Sequence, residues 1–69
     1  MTMFEEFANE LGVEIKTDKN GFYTGITSAL VAMTNEVILS DNEMIRNLDW
    51  EEQKKLITKK FYKTFPYMK

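Results

Sequence analysis

Two residue types are absent from this sequence, which contains no cysteine and no histidine. Without cysteine the chain can form no disulfide, iron–sulfur cluster or thiolate zinc site. Without histidine it lacks the commonest transition-metal ligand and general base of proteins. Carboxylates, lysines, tyrosines and two serines are the groups left for acid–base or nucleophilic chemistry. We therefore predict that the protein is not an enzyme and has no catalytic residues, no metal and no cofactor.

Glycine and long apolar runs are also scarce. The three glycines are scattered, so no stretch resembles a glycine-rich phosphate loop. The longest apolar runs, 29–33 and 37–39, are too short to cross a bilayer, and the two glutamates in residues 1–8 are unlike a signal peptide. Eight lysines against one arginine are typical of AT-rich genomes, as in many bacteria and phages. We expect a cytoplasmic protein of a bacterial or phage-infected cell, with no membrane partner.

The chain length of 69 residues predicts a single compact domain over residues 1–69. A domain of this size buries only about 60% of the surface that its unfolded chain exposes. Small domains are often supplemented by disulfides, metals or a partner chain, and the composition disfavours the first two. A homo-oligomer, in which a second copy completes the burial, is therefore one hypothesis.

The N-terminal residues predict a helix over 3–11. Thr2 and Glu5 have the spacing of a capping box, in which each side chain accepts a hydrogen bond from the other residue's backbone N–H. Gly12 is suited to the left-handed cap that ends many helices. Between these signals the apolar residues recur with helical spacing, at Met3, Phe4, Phe7, Ala8 and Leu11.

Residues 13–24 predict a β-hairpin. Apolar and β-branched residues alternate with charged ones at its start, and Asn20-Gly21 is the strongest short-range signal for a tight hairpin turn. With this turn, Phe22 lies on the same buried face as Ile15. A four-residue loop shifts the register by two and keeps the same face buried.

The rest of the chain predicts three helices. Residues 26–39 fit a strand as well as a helix, but their length and their alanines favour a helix. Ser40 has the capping-box spacing that starts a short helix. Asp49 is the corresponding cap of a long helix, which we expect to end near Thr64, shortly before Pro66.

Together these segments favour an α+β fold, in the order helix, β-hairpin, helix, short helix and long C-terminal helix. A hairpin this small is not stable alone and must pack on the helices. An all-α fold, with 13–24 as an irregular loop, is the alternative. The predicted core consists of Phe4, Phe7, Leu11, Ile15, Phe22, Ile26, Leu30, Met33, Val37, Ile45, Trp50, Ile57 and Phe61.

The charges are unevenly distributed along the chain. Residues 1–48 hold eight acids and three bases, whereas residues 49–69 hold three acids and six lysines. Part of this pattern is helix physics, because acids are favoured at a helix N-terminus and lysines at its C-terminus. Two surfaces are nevertheless candidates for partner binding. The first is an acidic face of Glu5, Glu6, Glu10 and Glu14. The second is the C-terminal end with Trp50, Lys55, Lys59, Tyr62, Phe65 and Tyr67.

Three hypotheses about function follow. The leading one is a non-catalytic protein-binding module, a small regulator or inhibitor of the kind that phages and mobile elements encode. The second is a small nucleic-acid-binding regulator that uses the lysine-rich C-terminal helix, although Asp49, Glu51 and Glu52 place negative charge at the helix end that would face DNA. The third is a subunit of a structural oligomer. The expected partner is another protein or a second copy, and a nucleic acid is the less favoured choice.

Overall fold

The computed structural model describes residues 2–68, and helices account for 66% of the structure. Within these residues, four α-helices and one 3₁₀ helix follow each other: α1 (Met3–Glu10), α2 (Gly25–Ile38), α3 (Glu43–Arg46), α4 (Trp50–Thr64) and the 3₁₀ helix (Pro66–Met68). Residues 2–68 contain no β-strand. The prediction of an α+β fold with a β-hairpin is therefore wrong, and the all-α alternative is confirmed.

The chain divides into two compact units, of which the first ends at Val31 and the second begins at Ala32. That residues 1–69 form a single domain stays a prediction. The buried residues of the first unit are Phe7, Ala8, Leu11, Val13, Thr27 and Leu30. Those of the second unit are Thr34, Val37, Gln53, Ile57 and Phe61.

Helix α1 begins at the predicted residue and ends at Glu10, one residue before the predicted end. The Glu5 backbone N–H donates to the Thr2 hydroxyl at 3.1 Å, and the Thr2 backbone N–H donates to the Glu5 carboxylate at 3.0 Å, which completes the capping box. At the other end Gly12 has φ +81°, and the Val13 N–H donates to the Ala8 carbonyl at 2.9 Å. This is the Schellman arrangement, in which a left-handed residue lets the chain leave the helix with its last carbonyls satisfied.

Residues 13–24 form a loop, which corrects the predicted hairpin. A tight turn is present, because the Asp18 carboxylate accepts from the backbone N–H groups of Asn20 at 2.8 Å and Phe22 at 3.0 Å. Only a single bridge, Thr17 with Tyr23, joins the two arms. The turn chemistry is thus realised without the ladder of hydrogen bonds that defines a hairpin.

The side chain of Thr27, on α2, explains why no ladder forms at the start of this loop. Its hydroxyl accepts from the Lys16 N–H at 3.0 Å and donates to the Glu14 carbonyl at 3.1 Å. Backbone groups that a partner strand would satisfy are instead satisfied by a buried side chain. This anchors the loop to α2 within the first unit.

The single bridge also changes which aromatic residue of the loop packs on α1. Thr17 pairs with Tyr23, so an odd number of residues lies between the paired positions, whereas the predicted two-residue turn requires an even number. This shift of the register by one residue places the side chains after the turn on the opposite face from the predicted one. Phe22, predicted to be in the core, is 69% exposed. Tyr23 packs on Phe4 instead, with ring centroids 5.4 Å apart.

In the second unit, short polar side chains set the starts of α3 and α4. The Asn42 amide oxygen accepts from the Met44 N–H at 3.0 Å, so α3 is capped two residues later than the predicted Ser40. The Asp49 carboxylate accepts from the Glu52 N–H at 2.9 Å, as predicted for α4. Helix α4 ends at Thr64, where Phe65 leaves the helical conformation ahead of Pro66.

No helix within residues 2–68 combines the length and the apolar character needed to cross a membrane.

Candidate functional site: a lysine-lined groove

The second unit contains a pocket of about 470 Å³ between the end of α2, α3 and α4. Pockets of roughly 300–1,000 Å³ are the size that holds ligands or the anchoring side chains of partners. We call this pocket the lysine groove. Its lining residues are Glu36, Val37, Ser40, Ile45, Leu56, Lys59, Lys60 and Lys63.

Helix α4 supplies half of the lining from a single stripe. The four residues are Leu56, Lys59, Lys60 and Lys63. Their spacing of i, i+3, i+4 and i+7 places them on one face of an α-helix. On a neighbouring face Ile57 and Phe61 are completely buried, which fixes the rotation of α4 and leaves the stripe accessible. Leu56 remains 39% exposed, so the groove offers apolar surface beside its lysines.

Hydrogen bonds to main-chain carbonyls hold the wall opposite α4. The Gln53 side-chain amide donates to the carbonyls of Ile45 at 3.3 Å and Arg46 at 3.2 Å. Both carbonyls lie at the end of α3, where the regular helical hydrogen bonds stop, and the Ile45 carbonyl also accepts from the Leu48 N–H at 3.2 Å. The Arg46 guanidinium in turn donates to the Ser40 carbonyl at 2.7 Å. The positions of Ile45 and Ser40 in the groove lining therefore depend on hydrogen bonds from Gln53 and Arg46, which do not line the groove themselves.

The lysines of α4 differ in their electrostatic partners. Lys54 pairs with Glu51 at 3.0 Å and Lys55 pairs with Glu52 at 3.1 Å, each one turn along the helix. Lys60 forms an ion pair with Glu36, and both of these residues line the groove.

Two groove lysines have no acidic partner among the residues that the structure describes. Within residues 2–68 no carboxylate forms an ion pair with Lys59 or Lys63. They are four residues apart, which brings their Cβ atoms to about 5–6 Å of each other. Both side chains are exposed. The groove therefore presents two adjacent, uncompensated positive charges next to apolar side chains.

The predicted acidic face is divided between a helix and the loop that follows it. Glu6 and Glu10 are exposed on α1, whereas Glu14 lies in the loop beyond its end. Glu5 belongs to the capping box. Hydrogen bonds from the Thr2 backbone N–H and the Thr2 hydroxyl hold the pKa of its carboxyl below the ordinary value of 4.5. The Glu5 carboxylate is therefore engaged in capping the start of α1.

The predicted C-terminal surface is also only partly brought together. Lys59 lies in the groove, whereas Lys55 is outside its lining. Trp50 is half-buried, with the Lys54 ammonium 5.9 Å from its ring centroid.

The aromatic residues after Lys59 form a chain of ring contacts instead. Phe61 contacts Tyr62 with ring centroids 5.5 Å apart and contacts Phe65 at 5.2 Å. Phe65 contacts Tyr67 at 6.2 Å, edge to face. Phe65 is half-buried, and Tyr67 remains 73% exposed. Most of these aromatics therefore pack on each other rather than forming one flat binding surface.

Of the groove lining, only Lys59 is among the predicted partner-binding residues. Lys60, Lys63 and Leu56 were visible as one helical stripe, and this signal could have found them. Val37 and Ile45 carried no such signal, because only the folded chain brings them beside α4.

No group of three or more acidic residues within the described part of the chain is arranged to hold a metal ion. Comparison of the chain with protein-family models, with curated proteins and with solved structures gives no match.

Proposed function

We propose that the protein is a non-catalytic protein-binding module, and that the lysine groove receives an acidic, amphipathic segment of a partner. The observation that carries this proposal is the combination of two uncompensated lysines, Lys59 and Lys63, with apolar side chains in one pocket. By binding such a segment the protein acts as a regulator or inhibitor, because the partner cannot use the bound segment for its other interactions.

The mixed lining favours a protein segment over a simple anion. Leu56 and Ile45 are partly exposed and gain from contact with an apolar side chain. Burial of one leucine-sized side chain is worth about 1.5–3 kcal/mol. The lysines then select carboxylates beside that side chain and speed the encounter by charge complementarity. A helix with one apolar residue followed by acids at i+3 and i+7 presents both kinds of group on one face.

The experiment is a fluorescence-anisotropy titration with three labelled probes. The first is a helical peptide of about 15 residues with leucine at one position and glutamate three and seven residues later. The second replaces these glutamates by glutamine, and the third is a single-stranded oligonucleotide. We expect the acidic peptide to bind, and its affinity to fall as salt rises.

Variants locate the binding. Lys59→Glu/Lys63→Glu reverses both uncompensated charges and is expected to weaken the acidic peptide about tenfold or more, since each exposed ion pair contributes about 0.2–1 kcal/mol and reversal adds repulsion. Lys16→Glu/Lys19→Glu makes the same charge change in the loop of the first unit and should leave binding unchanged. Equal binding of the acidic and glutamine peptides contradicts the proposal. Binding of the oligonucleotide alone selects nucleic-acid recognition instead.

A further inference from the structure

Helix α1 carries an exposed stripe that resembles a partner segment of the required kind. Met3, Glu6 and Glu10 are spaced at i, i+3 and i+7, so they share one face of α1. Met3 is 60% exposed although it is apolar, and both glutamates are exposed. The stripe therefore offers one apolar side chain followed by two acids.

The spacing of this stripe is the same as that of three groove residues. Leu56, Lys59 and Lys63 are also at i, i+3 and i+7, on α4. Both stripes span about 10 Å, given a rise of 1.5 Å per residue. If two such helices lie side by side and parallel, the apolar residues meet and each glutamate meets a lysine. An antiparallel arrangement places apolar residues against charges.

We propose that a second copy of this chain occupies the lysine groove with the Met3/Glu6/Glu10 stripe of its α1. The contact joins two different surfaces, because the acidic stripe of one copy meets the basic groove of another. Two copies that exchange their stripes reciprocally close as a two-fold dimer, and copies joined by one contact continue head to tail; both arrangements raise the mass above that of one chain. The inference rests on the proposed function, since the same groove would receive the partner's segment.

The contact is small, and its strength is therefore limited. A single pair of short helical stripes buries less area than a stable interface of about 1,200–2,000 Å². Weak association also leaves the groove available to a tighter-binding partner. Salt weakens the contact because the paired groups are exposed, and the screening length is about 8 Å at physiological ionic strength.

The experiment is sedimentation equilibrium of the full chain between ~0.02 and ~1 mM, the range in which a contact of this size dissociates. The wild-type weight-average mass should rise with concentration above the 8.1 kDa of one chain. Glu6→Lys/Glu10→Lys gives a chain with a basic stripe and a basic groove. Lys59→Glu/Lys63→Glu gives a chain with an acidic stripe and an acidic groove. Each variant alone should stay monomeric.

An equimolar mixture of the two variants restores opposite charges at every contact and should associate again. Lys16→Glu/Lys19→Glu serves as the matched control and should associate as the wild type does. Circular dichroism checks that each variant remains helical. The inference is overturned if the wild type is monomeric throughout, if either charge-reversed variant associates as the wild type does, or if the helical mixture stays monomeric.

The two proposals fail separately. A chain that binds the acidic peptide but never self-associates retains the proposed function and loses only this inference. A chain whose charge-swapped mixture associates while the acidic peptide does not bind has a groove specific for its own α1, which contradicts the proposed recognition of a partner's acidic segment.

Discussion

The hydroxyl of Thr27 and the backbone N–H of Lys16 are 3.0 Å apart, and this bond joins the buried side of α2 to a loop eleven residues earlier. The same hydroxyl donates to the Glu14 carbonyl, so one side chain satisfies two backbone groups. Thr27 is almost completely buried. The Thr27 hydroxyl is therefore needed at a buried position where an apolar side chain would otherwise be expected.

Replacement of Thr27 by valine should destabilise the protein with little change in shape. The two side chains have the same size, but valine leaves the Lys16 N–H and Glu14 carbonyl without this partner. We expect a loss of about 1–3 kcal/mol in the free energy of unfolding, measured by urea denaturation. Thr17→Val, at an exposed position, should change stability by less than about 0.5 kcal/mol. Equal effects of the two substitutions would show that the Thr27 bonds contribute nothing.

Replacement of Gln53 by methionine should weaken both the second unit and the groove. Methionine keeps most of the volume but cannot donate to the carbonyls of Ile45 and Arg46. We expect a loss of about 1–3 kcal/mol in the free energy of unfolding and weaker binding of the acidic peptide, because Ile45 is no longer held in place. Lys55→Met, on the exposed side of α4, is the control. Unchanged peptide affinity in a destabilised Gln53→Met protein would show that the Gln53 hydrogen bonds to the end of α3 stabilise the fold without shaping the groove.

Replacement of Glu36 by glutamine should strengthen anion binding in the groove. Glu36 pairs with Lys60, and both side chains are largely solvent-exposed, so the pair is worth no more than about 1 kcal/mol to stability. Its removal gives the groove a third uncompensated lysine, and we expect the acidic peptide to bind several-fold more tightly. Glu43→Gln, which frees Arg46 outside the groove lining, should have no such effect. A lower peptide affinity in Glu36→Gln would contradict the assigned charge balance.

The capping box of α1 should make stability depend on pH in acid. The pKa of Glu5 is lowered in the folded state, first by the Thr2 backbone N–H and then by the Thr2 hydroxyl. A lowered folded-state pKa means that the carboxylate stabilises the fold above its unfolded-state pKa and loses this contribution as pH falls through the folded-state pKa. The melting temperature of wild type should therefore exceed that of Glu5→Gln at neutral pH, and the difference should shrink below about pH 4.

A Thr2→Ala background provides the control for this prediction. Without the threonine hydroxyl, the pH-dependent difference between glutamate and glutamine at position 5 should become smaller. A difference that is equally large in both backgrounds would assign the effect to the backbone N–H of residue 2, which alanine retains, rather than to the hydroxyl.

Helix ends were predictable because their determinants are local. Thr2 with Glu5, Gly12 and Asp49 each act on backbone groups within a few residues, and all three perform the predicted role. The prediction of α4 to about Thr64 is confirmed for the same reason.

The loop was predicted wrongly because its outcome depends on a distant residue. Asp18 makes the expected turn, but Thr27 takes the backbone groups of residues 14 and 16 that the turn alone would leave to a partner strand. A turn motif reports only its own residues. The motif carries no information about a threonine on the next helix. The exchanged faces of Phe22 and Tyr23 follow from the single bridge that remains.

Half of the groove lining was predictable from the sequence. Its α4 stripe follows from spacing alone, whereas Val37 and Ile45 reach it through tertiary packing. The unequal pairing of the lysines could not be read from the sequence either, since the choice of Glu36 by Lys60 joins residues far apart in the chain.

The position of the sole tryptophan makes the second unit optically distinguishable. Trp50 is the first residue of α4 and is half-buried, so its emission reports the melting of that unit, whereas ellipticity averages over every helix. Coincident transitions at the two wavelengths are the signature of one cooperative domain, and a displaced tryptophan transition is the signature of two. A single unlabelled sample can thus decide whether the chain folds as one piece.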